Sequence, residues 1–532
     1  MRRLTSHVRP SIGDRRRWLS SACLVGGVAT LSLTVVPTGV AAAATDTVTT
    51  CAGSGPGSLP TVVGSAAPGD TVAFSVSCPP GSPIALTAAV DISVNLTIDG
   101  PGASTLAVTG GGSNGVFDVA SGVTASISGL TLEDSTFGID NAGTVAVSDT
   151  TVSDNGSGFT GGIVNSGNLT LTGSTLSDNI VGIGTGFGGG GIYNGGGMVT
   201  VNASTLSDNA ASNGANGGGI YNHSGSLTIT DSSLSANNAG MGSGGAIYND
   251  GGSLAISDTT LANNTAIDHN GGAIDNNAGT VTVSDSTLFK NSAYYHARGG
   301  GIYNHGSLTV TNSTLSGNGA KYASSVGGNI DNDGTATLTA TIVDKGTAGG
   351  DCAGAVTDGG YNLDTDGTCG FTAGTDVSDT PAGLDPRGLQ QHGGPTKTIA
   401  LESSSPAVGA VTSALLCATP DQRGVARPTP CDMGAVELAL PPQAITSPDS
   451  ATATVGSPFS FTVTTSGTPV PSITKKGRLP KHVKLDDQGD GTALISGTPT
   501  KTGVYAFTIK ATFGRGMRSR TVDQSFTLTV GT

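Results

Sequence analysis

Three short motifs follow one another within residues 300–318: Gly300-Gly301-Ile302-Tyr303-Asn304, Ser307-Leu308-Thr309-Val310-Thr311, and Ser313-Thr314-Leu315-Ser316-Gly317-Asn318. Variants of the first end in Asn141, Asn165, Asn194, Asn222, Asn249, Asn276, Asn304 and Asn332, at intervals of 24, 29, 28, 27, 27, 28 and 28 residues. Variants of the third end in Asn155, Asn179, Asn209, Asn237, Asn264, Asn291 and Asn318. Two interleaved tracks that stay in phase mark a repeat array.

Each unit carries three strand signals separated by Gly, Asn, Asp and Ser turns, and no 3.6-residue periodicity. A unit of three strands cannot bury its apolar face alone. Stacking does bury it, each strand pairing in parallel with its copies ~4.8 Å above and below. The recurring Leu and Ile then form interior stacks. The recurring Asn form internal ladders whose amides satisfy one another, which removes the cost of burying them. Glycines are expected at the tight corners, where φ is positive.

The Gly-Gly-Gly-Ile-Tyr-Asn and Ser-Thr-Leu-Ser-x-Asn repeats resemble the right-handed parallel β-helix (pectin-lyase-like) family, in particular polymorphic outer-membrane-protein repeats. The handedness is an implication of that resemblance. The match extends to Asn95-Leu96-Thr97-Ile98-Asp99-Gly100-Pro101-Gly102 and to Val116-Phe117-Asp118-Val119. Residues 45–90 look like the N-terminal cap, and 91–345 are the repeats. Residues 346–440, with Gly393-Gly394-Pro395-Thr396, Asp421-Gln422-Arg423-Gly424 and Cys431-Asp432-Met433-Gly434-Ala435, are similar to the closing region of "choice-of-anchor" β-helix proteins. After Pro441-Pro442, residues 441–532 alternate apolar and polar positions, as in Phe459-Ser460-Phe461-Thr462-Val463, which suits a β-sandwich. Val455-Gly456-Ser457-Pro458-Phe459 and Gly491-Thr492-Ala493-Leu494-Ile495-Ser496-Gly497-Thr498-Pro499 resemble the bacterial immunoglobulin-like (cadherin-like) family. The expected fold is all-β: a right-handed parallel β-helix solenoid plus a C-terminal immunoglobulin-like β-sandwich.

Composition agrees. Gly accounts for 85 of 532 residues, while aromatics make up 4% and charged residues 12%. Collagen would need about one Gly in three, and long helices would need more Ala, Glu, Lys and Leu. Residues 1–44 read as a secretory signal: six basic residues between Arg2 and Arg17, an apolar run from Trp18 to Val36, and cleavage near Ala44. Export makes disulfides the expected use of the remaining six cysteines. They fall as local pairs, Cys51 with Cys78, Cys352 with Cys369 and Cys417 with Cys431, although six allow 15 connectivities.

The formal charge is −14 and very unevenly placed: −24 over residues 45–440 and +5 over 441–532. Lys and Arg are missing from residue 18 through 289. An acidic solenoid repels phosphate backbones, which excludes nucleic acid as its partner. A lyase resembling pectate lyase needs a basic side chain and charge neutralisation. Lys290, Arg298 and Lys321 are the only cationic candidates there. A glycoside hydrolase needs two convergent carboxylates, and Asp275 and Asp331 hold equivalent places two coils apart.

Alternation turns the Tyr of the first motif outward, so Tyr193, Tyr221, Tyr248 and Tyr303 are expected to form a solvent-facing stripe flanked by His223 and His305. Such rings either stack on sugars or stabilise the ladder. Asp486, Asp487 and Asp490 offer carboxylates for Ca2+ on a turn that reads equally as a solvated hairpin. Lys475, Lys476, Arg478, Lys481 and Lys484 suggest either contact with an anionic wall polymer or a charged edge that blocks aggregation. The leading expectation is an exported, non-enzymatic surface or matrix protein that contacts an extracellular or envelope polysaccharide, or a surface protein. The alternative is a carbohydrate-active enzyme, a polysaccharide lyase or glycoside hydrolase.

Overall fold

A computed structural model describes residues 43–76, 78–79, 82–156, 158, 161–182, 188–295, 297–321, 326–438, 443–467, 470–513 and 520–532. The signal segment therefore lies outside the described residues, apart from Ala43 and Ala44. From residue 45 onward the chain winds into a parallel β-helix. Ile163 pairs in parallel with Ile192, and the column continues through Ile220, Ile247, Ile274, Ile302 and Ile330. Cys352 takes the next rung in the Ile column and is disulfide-bonded to Cys369. The other two disulfides are also local, Cys51 to Cys78 and Cys417 to Cys431.

The first two motifs of each unit supply one 22-stranded sheet, and the third motif supplies a 12-stranded sheet. Two-residue strands after the third motif, such as Asn238–Ala239, add a 6-stranded sheet that the sequence did not announce. Leu176, Leu206, Leu234, Leu261, Leu288 and Leu315 stack as one fully buried interior column. At the N-terminal end, the helix Leu59–Ser65 buries Leu59, Val62 and Val63 in the same core.

Both expected Asn ladders form. Asn141 Nδ2 donates to Asn165 Oδ1 at 2.7 Å, and the relay passes through Asn194, Asn222, Asn249, Asn276 and Asn304 to Asn332. The second runs from Asn155 through Asn179, Asn209, Asn237, Asn264 and Asn291 to Asn318. Every rung donates toward the C-terminus. The second ladder then passes to Asn329 and ends on Asp351 Oδ1 at 2.7 Å, a carboxylate that accepts and, when ionised, cannot donate onward.

Glycine holds the expected positive-φ corner before the Ile-x-Asn strands, at Gly189, Gly217, Gly244, Gly271, Gly299 and Gly327, and the expectation needs correction at two other turns. Glycine is the minority residue at the two tight turns of each coil. Asp149, Asp231, Asp258, Asp285 and Asn312 hold positive φ at one turn, and Asp154, Asp178, Asp208 and Asn263 at the other. Short Asp and Asn side chains bond locally and tolerate this conformation. Glycine is instead required before the Ile-Tyr-Asn strand. Gly244 has φ +69°, and a Cβ there would lie 2.3 Å from the carbonyl oxygen of Ile247. The chain crosses directly over its own strand at this point.

Residues 378–438 lie along the outer face of the 12-stranded sheet, where Thr260 Oγ1 donates to the Lys397 carbonyl at 2.6 Å and Ala435 N to Thr314 Oγ1 at 3.0 Å. Gln422 is the centre of this contact: it donates to Thr260 and Thr396 at 2.8 and 2.9 Å and accepts from Thr287 at 2.6 Å. Arg427 is fully buried and meets Asp285 at 3.2 Å. Residues 443–532 form two four-stranded sheets around Val463, Ile495, Ile509 and Phe526.

Candidate functional site

The outward column of the first motif contains most of the candidate chemistry. In register it reads Asp140, Val164, Tyr193, Tyr221, Tyr248, Asp275, Tyr303, Asp331. The side chains point away from the coil interior, as alternation requires, but they do not form the solvent-facing stripe expected. Tyr221 and Tyr303 are buried at 5% and 8% exposure, Asp275 and Asp331 at 3% and 0%, and Tyr193 and Tyr248 are half-buried. The glycine turn before the last six of these strands folds back against them: a Cβ at Gly327 would lie 2.7 Å from Asp331 Cβ, and Ser243, next to Gly244, hydrogen-bonds Asp275. The turn carries a staircase of its own: Ser243 N donates to Asn216 Oδ1, Asn270 N to Ser243 Oγ, and Arg298 N to Asn270 Oδ1. The repeated Gly-Gly before Ile was the available signal for this cover.

Under that cover the rings pack on one another. Tyr221 meets Tyr193 and Tyr248 edge-on, with centroids 5.6 and 5.1 Å apart. The Tyr221 hydroxyl donates to Asp250 Oδ2 at 3.0 Å, and His223 Nδ1 lies 3.1 Å from the same oxygen. Burial acts to raise the Asp250 pKa, but hydrogen bonds from Asn277, His223 and Tyr221 outweigh it and hold the group below its usual value. His305 is exposed at the corresponding place on a later coil.

The two candidate catalytic carboxylates are separated in register by Tyr303. Arg298 grips Asp331 through Nε at 2.8 Å and Nη2 at 3.0 Å, and it also binds Asp333. The Tyr303 hydroxyl donates to Asp333 at 2.9 Å, and its ring lies under the guanidinium at 5.2 Å. Burial raises Asp331, and Arg298 opposes that shift. Asp275 has no such cation. Burial pushes it up to about 7, a Ser243 hydrogen bond opposes, and the Asp250 charge adds to the rise. Its Oδ1 is buried without a hydrogen-bond partner. Lys290 and Lys321 are exposed and lie over the rings of Phe289 and Tyr294. Arg298 is thus committed to two carboxylates, and neither Asp275 nor Asp331 meets solvent where a substrate could reach it.

In the C-terminal module, Asp486, Asp487 and Asp490 turn to local partners. Asp487 accepts from the N–H groups of Ile473 and Gly489, Asp490 accepts from Thr492, and Asp486 pairs with Lys484. Among the described residues no three His, Cys, Asp or Glu side chains converge as metal ligands. Lys475, Lys476, Arg478, Lys481 and Lys484 are all exposed. Lys475 and Lys476 lie on the strand Ser472–Gly477 and Lys484 on Val483–Asp487, which are edge strands of the two different sheets. Arg478 and Lys481 occupy the connection, so the five cations rim one side of the sandwich.

Residues 441–531 match a family profile described as "Putative Ig domain". The chain is a parallel β-helix followed by an immunoglobulin-like domain. No curated protein matches it. Two solved structures, a putative alpha-galactosidase and a putative alpha-galactosidase/melibiase of Bacteroides fragilis NCTC 9343, are each 26% identical over 17% of this chain and 17% of their own, with a TM-score of 0.14. The aligned part is thus about a sixth of either chain, and this likeness carries no argument about activity. No helix among the described residues is long and apolar enough to cross a membrane.

Proposed function

We propose that this protein is an exported, non-enzymatic scaffold whose rigid β-helix contacts extracellular or envelope glycan, with the immunoglobulin-like domain as a spacer or wall-contact module. The observation that carries this reading is the fate of the candidate catalytic groups. A general acid or base must come within hydrogen-bond reach of the proton it moves. Asp331 is fully buried in the grip of Arg298, and Asp275 lies beneath the Gly-Gly turn. The three disulfides fit an oxidising compartment, in line with the expected signal segment. The basic rim of the sandwich adds an electrostatic route to anionic wall polymers, which an acidic solenoid alone would lack.

The test is a panel of polysaccharides assayed for reducing-sugar and unsaturated products, run beside a glycan-array binding profile of residues 45–532. Binding without turnover is expected. Turnover lost in both Asp275→Asn and Arg298→Ala would replace this reading with a carbohydrate-active enzyme.

A further inference from the structure

The β-helix takes hold of the chain at Ala44. The Ala44 N–H donates to Asp70 Oδ1 at 2.7 Å, and the Ala44 carbonyl accepts from Thr71 N at 2.8 Å. The strand Thr45–Val48 follows at once, pairing in parallel with Thr71–Phe74. Among the described residues Ala44 is the first that hydrogen-bonds to the coils. The receiving carboxylate is held from its other side. Ala67 N donates to Asp70 Oδ2 at 2.7 Å, and the Asp70 N–H returns a bond to the Ala67 carbonyl at 3.1 Å. Asp70 is buried at 6% exposure, whereas Ala43 and Ala44 are exposed.

No side-chain cation serves this carboxylate. The N–H groups of Ala44 and Ala67 hold Asp70 below its usual value against burial, and the Asp46 side chain bonds to it as well, so two acids share the start of the coil. Lys and Arg are missing from residue 18 through 289. The missing charge is available from the backbone. A chain that starts at Ala44 carries an α-ammonium on the very nitrogen that Asp70 already binds, and a charge-assisted bond is about twice as strong as a neutral one. An export peptidase reads small residues at the first and third places before its cut, and both Ala41-Ala42-Ala43 and Ala42-Ala43-Ala44 qualify. The contacts separate the two. Cutting after Ala44 removes the nitrogen bound by Asp70 and the carbonyl bound by Thr71, whereas cutting after Ala43 keeps both.

We infer that an export peptidase cuts between Ala43 and Ala44, and that the new α-ammonium of Ala44 forms an ion pair with Asp70 that fixes the first strand of the β-helix. Hydrolysis consumes one water. Its oxygen joins the Ala43 carbonyl carbon as the C–N bond breaks, Ala43 leaves as a carboxylate, and both protons pass to the Ala44 nitrogen. A cut one residue to either side would displace the charge by ~3.8 Å along the chain, away from Asp70 Oδ1. The ion pair rests on the export proposed above, and adds to it the bond that is cut and the group that receives the new terminus.

The experiment exports the full chain from a bacterial host and reads the mature form by intact mass and N-terminal sequencing. A chain beginning at Ala44 is the expected result. One beginning at Ala43 or Thr45 would overturn the assigned cut while leaving export standing, and a chain neither cleaved nor exported would remove both. The ion pair has a separate readout, because a neighbouring carboxylate favours the ammonium and leaves less of the reactive free amine. Acylation of the Ala44 α-amine in the exported protein, followed on the N-terminal peptide, should be at least about fivefold slower at pH ~7.5 than in Asp70→Asn. Residues 43–532, released from a fusion without a scar, keep Asp70 but shift the amine by one residue, and should react at the faster rate. Should Asp70→Asn fail to fold, that second chain carries the comparison alone. An Ala44 amine no slower than that of residues 43–532 would overturn the pair.

Discussion

Arg298 holds the carboxylate of Asp331 from the preceding coil, and among the described residues it is the one Lys or Arg that pairs with a carboxylate of the column containing the tyrosines and Asp275. Asp331 has no exposed side-chain surface, whereas the Arg298 side chain is about a third exposed. Removing the arginine would strand a buried charge. Arg298→Ala should therefore cost about 2–4 kcal/mol in denaturant unfolding, below the upper end for a fully buried pair. Asp331→Asn in the same chain should recover a large part of that loss. Equal destabilisation of the single and double variants would show that the pair is not what Arg298 stabilises.

The Asn ladders and the tyrosine column give a second comparison. Asn249→Leu breaks one rung and leaves the neighbouring amides of Asn222 and Asn276 short of a partner, at about 1–3 kcal/mol each. An outward tyrosine would be cheap to truncate, but Tyr221 is buried against two rings and bonded to Asp250. Tyr221→Ala is accordingly expected to cost about 2–4 kcal/mol. A melting temperature indistinguishable from wild type would return that side chain to the solvent.

Asp275 should make stability fall as pH rises. Its folded pKa is pushed up to about 7, against about 3.9 in the unfolded chain, so between those values the folded state holds a proton that the unfolded state has released. Stability from this group is complete below the unfolded value and lost as pH climbs to about 7, at about 1.4 kcal/mol per unit. Asp275→Asn should flatten that decline relative to wild type. Parallel melting profiles of the two proteins from pH 4.5 to 8 would contradict the burial argument.

Gly244→Ala places a methyl against the Ile247 carbonyl at a positive φ, so the turn must lift. A loss of more than about 1 kcal/mol is expected, with increased solvent quenching of Tyr248 fluorescence. An unaffected emission and melting curve would mean that the turn is not what covers the column.

For the basic rim, full-length protein should be retained on cell-wall material at low salt and released as screening shortens. Reversal of Lys475, Lys476 and Arg478 to Glu should abolish the salt-sensitive part. Retention indifferent to both changes would leave those lysines as edge protection alone.

The stacking of coils and both ladders were legible because they repeat: Asn222 and Asn249 announce themselves by spacing, and a buried amide must find another. The covering of Tyr221 was not legible from strand alternation, because alternation says which way a side chain leaves the strand and nothing of what lies above it. The seating of the closing segment was hidden for a different reason. Gln422 meets Thr287, and Arg427 meets Asp285, across more than a hundred residues of chain that share no period. The local disulfides were visible as proximity of cysteines, while their connectivity was settled only by the fold.

The one-way donation of the ladders bears on how such a protein can change length. Any interior unit receives an amide bond from below and hands an identical one upward, so a unit inserted or deleted between Asn165 and Asn222, before the coils on which the closing segment is seated, meets the same chemistry on both sides. Asp351 differs, because its carboxylate accepts from Asn329 and has no amide to pass on. Duplication of an interior repeat would lengthen the rod by ~4.8 Å for each added coil and leave both ends as they are. The reach of the molecule is thereby a heritable dimension that whole-unit gains and losses can adjust without rebuilding its termini.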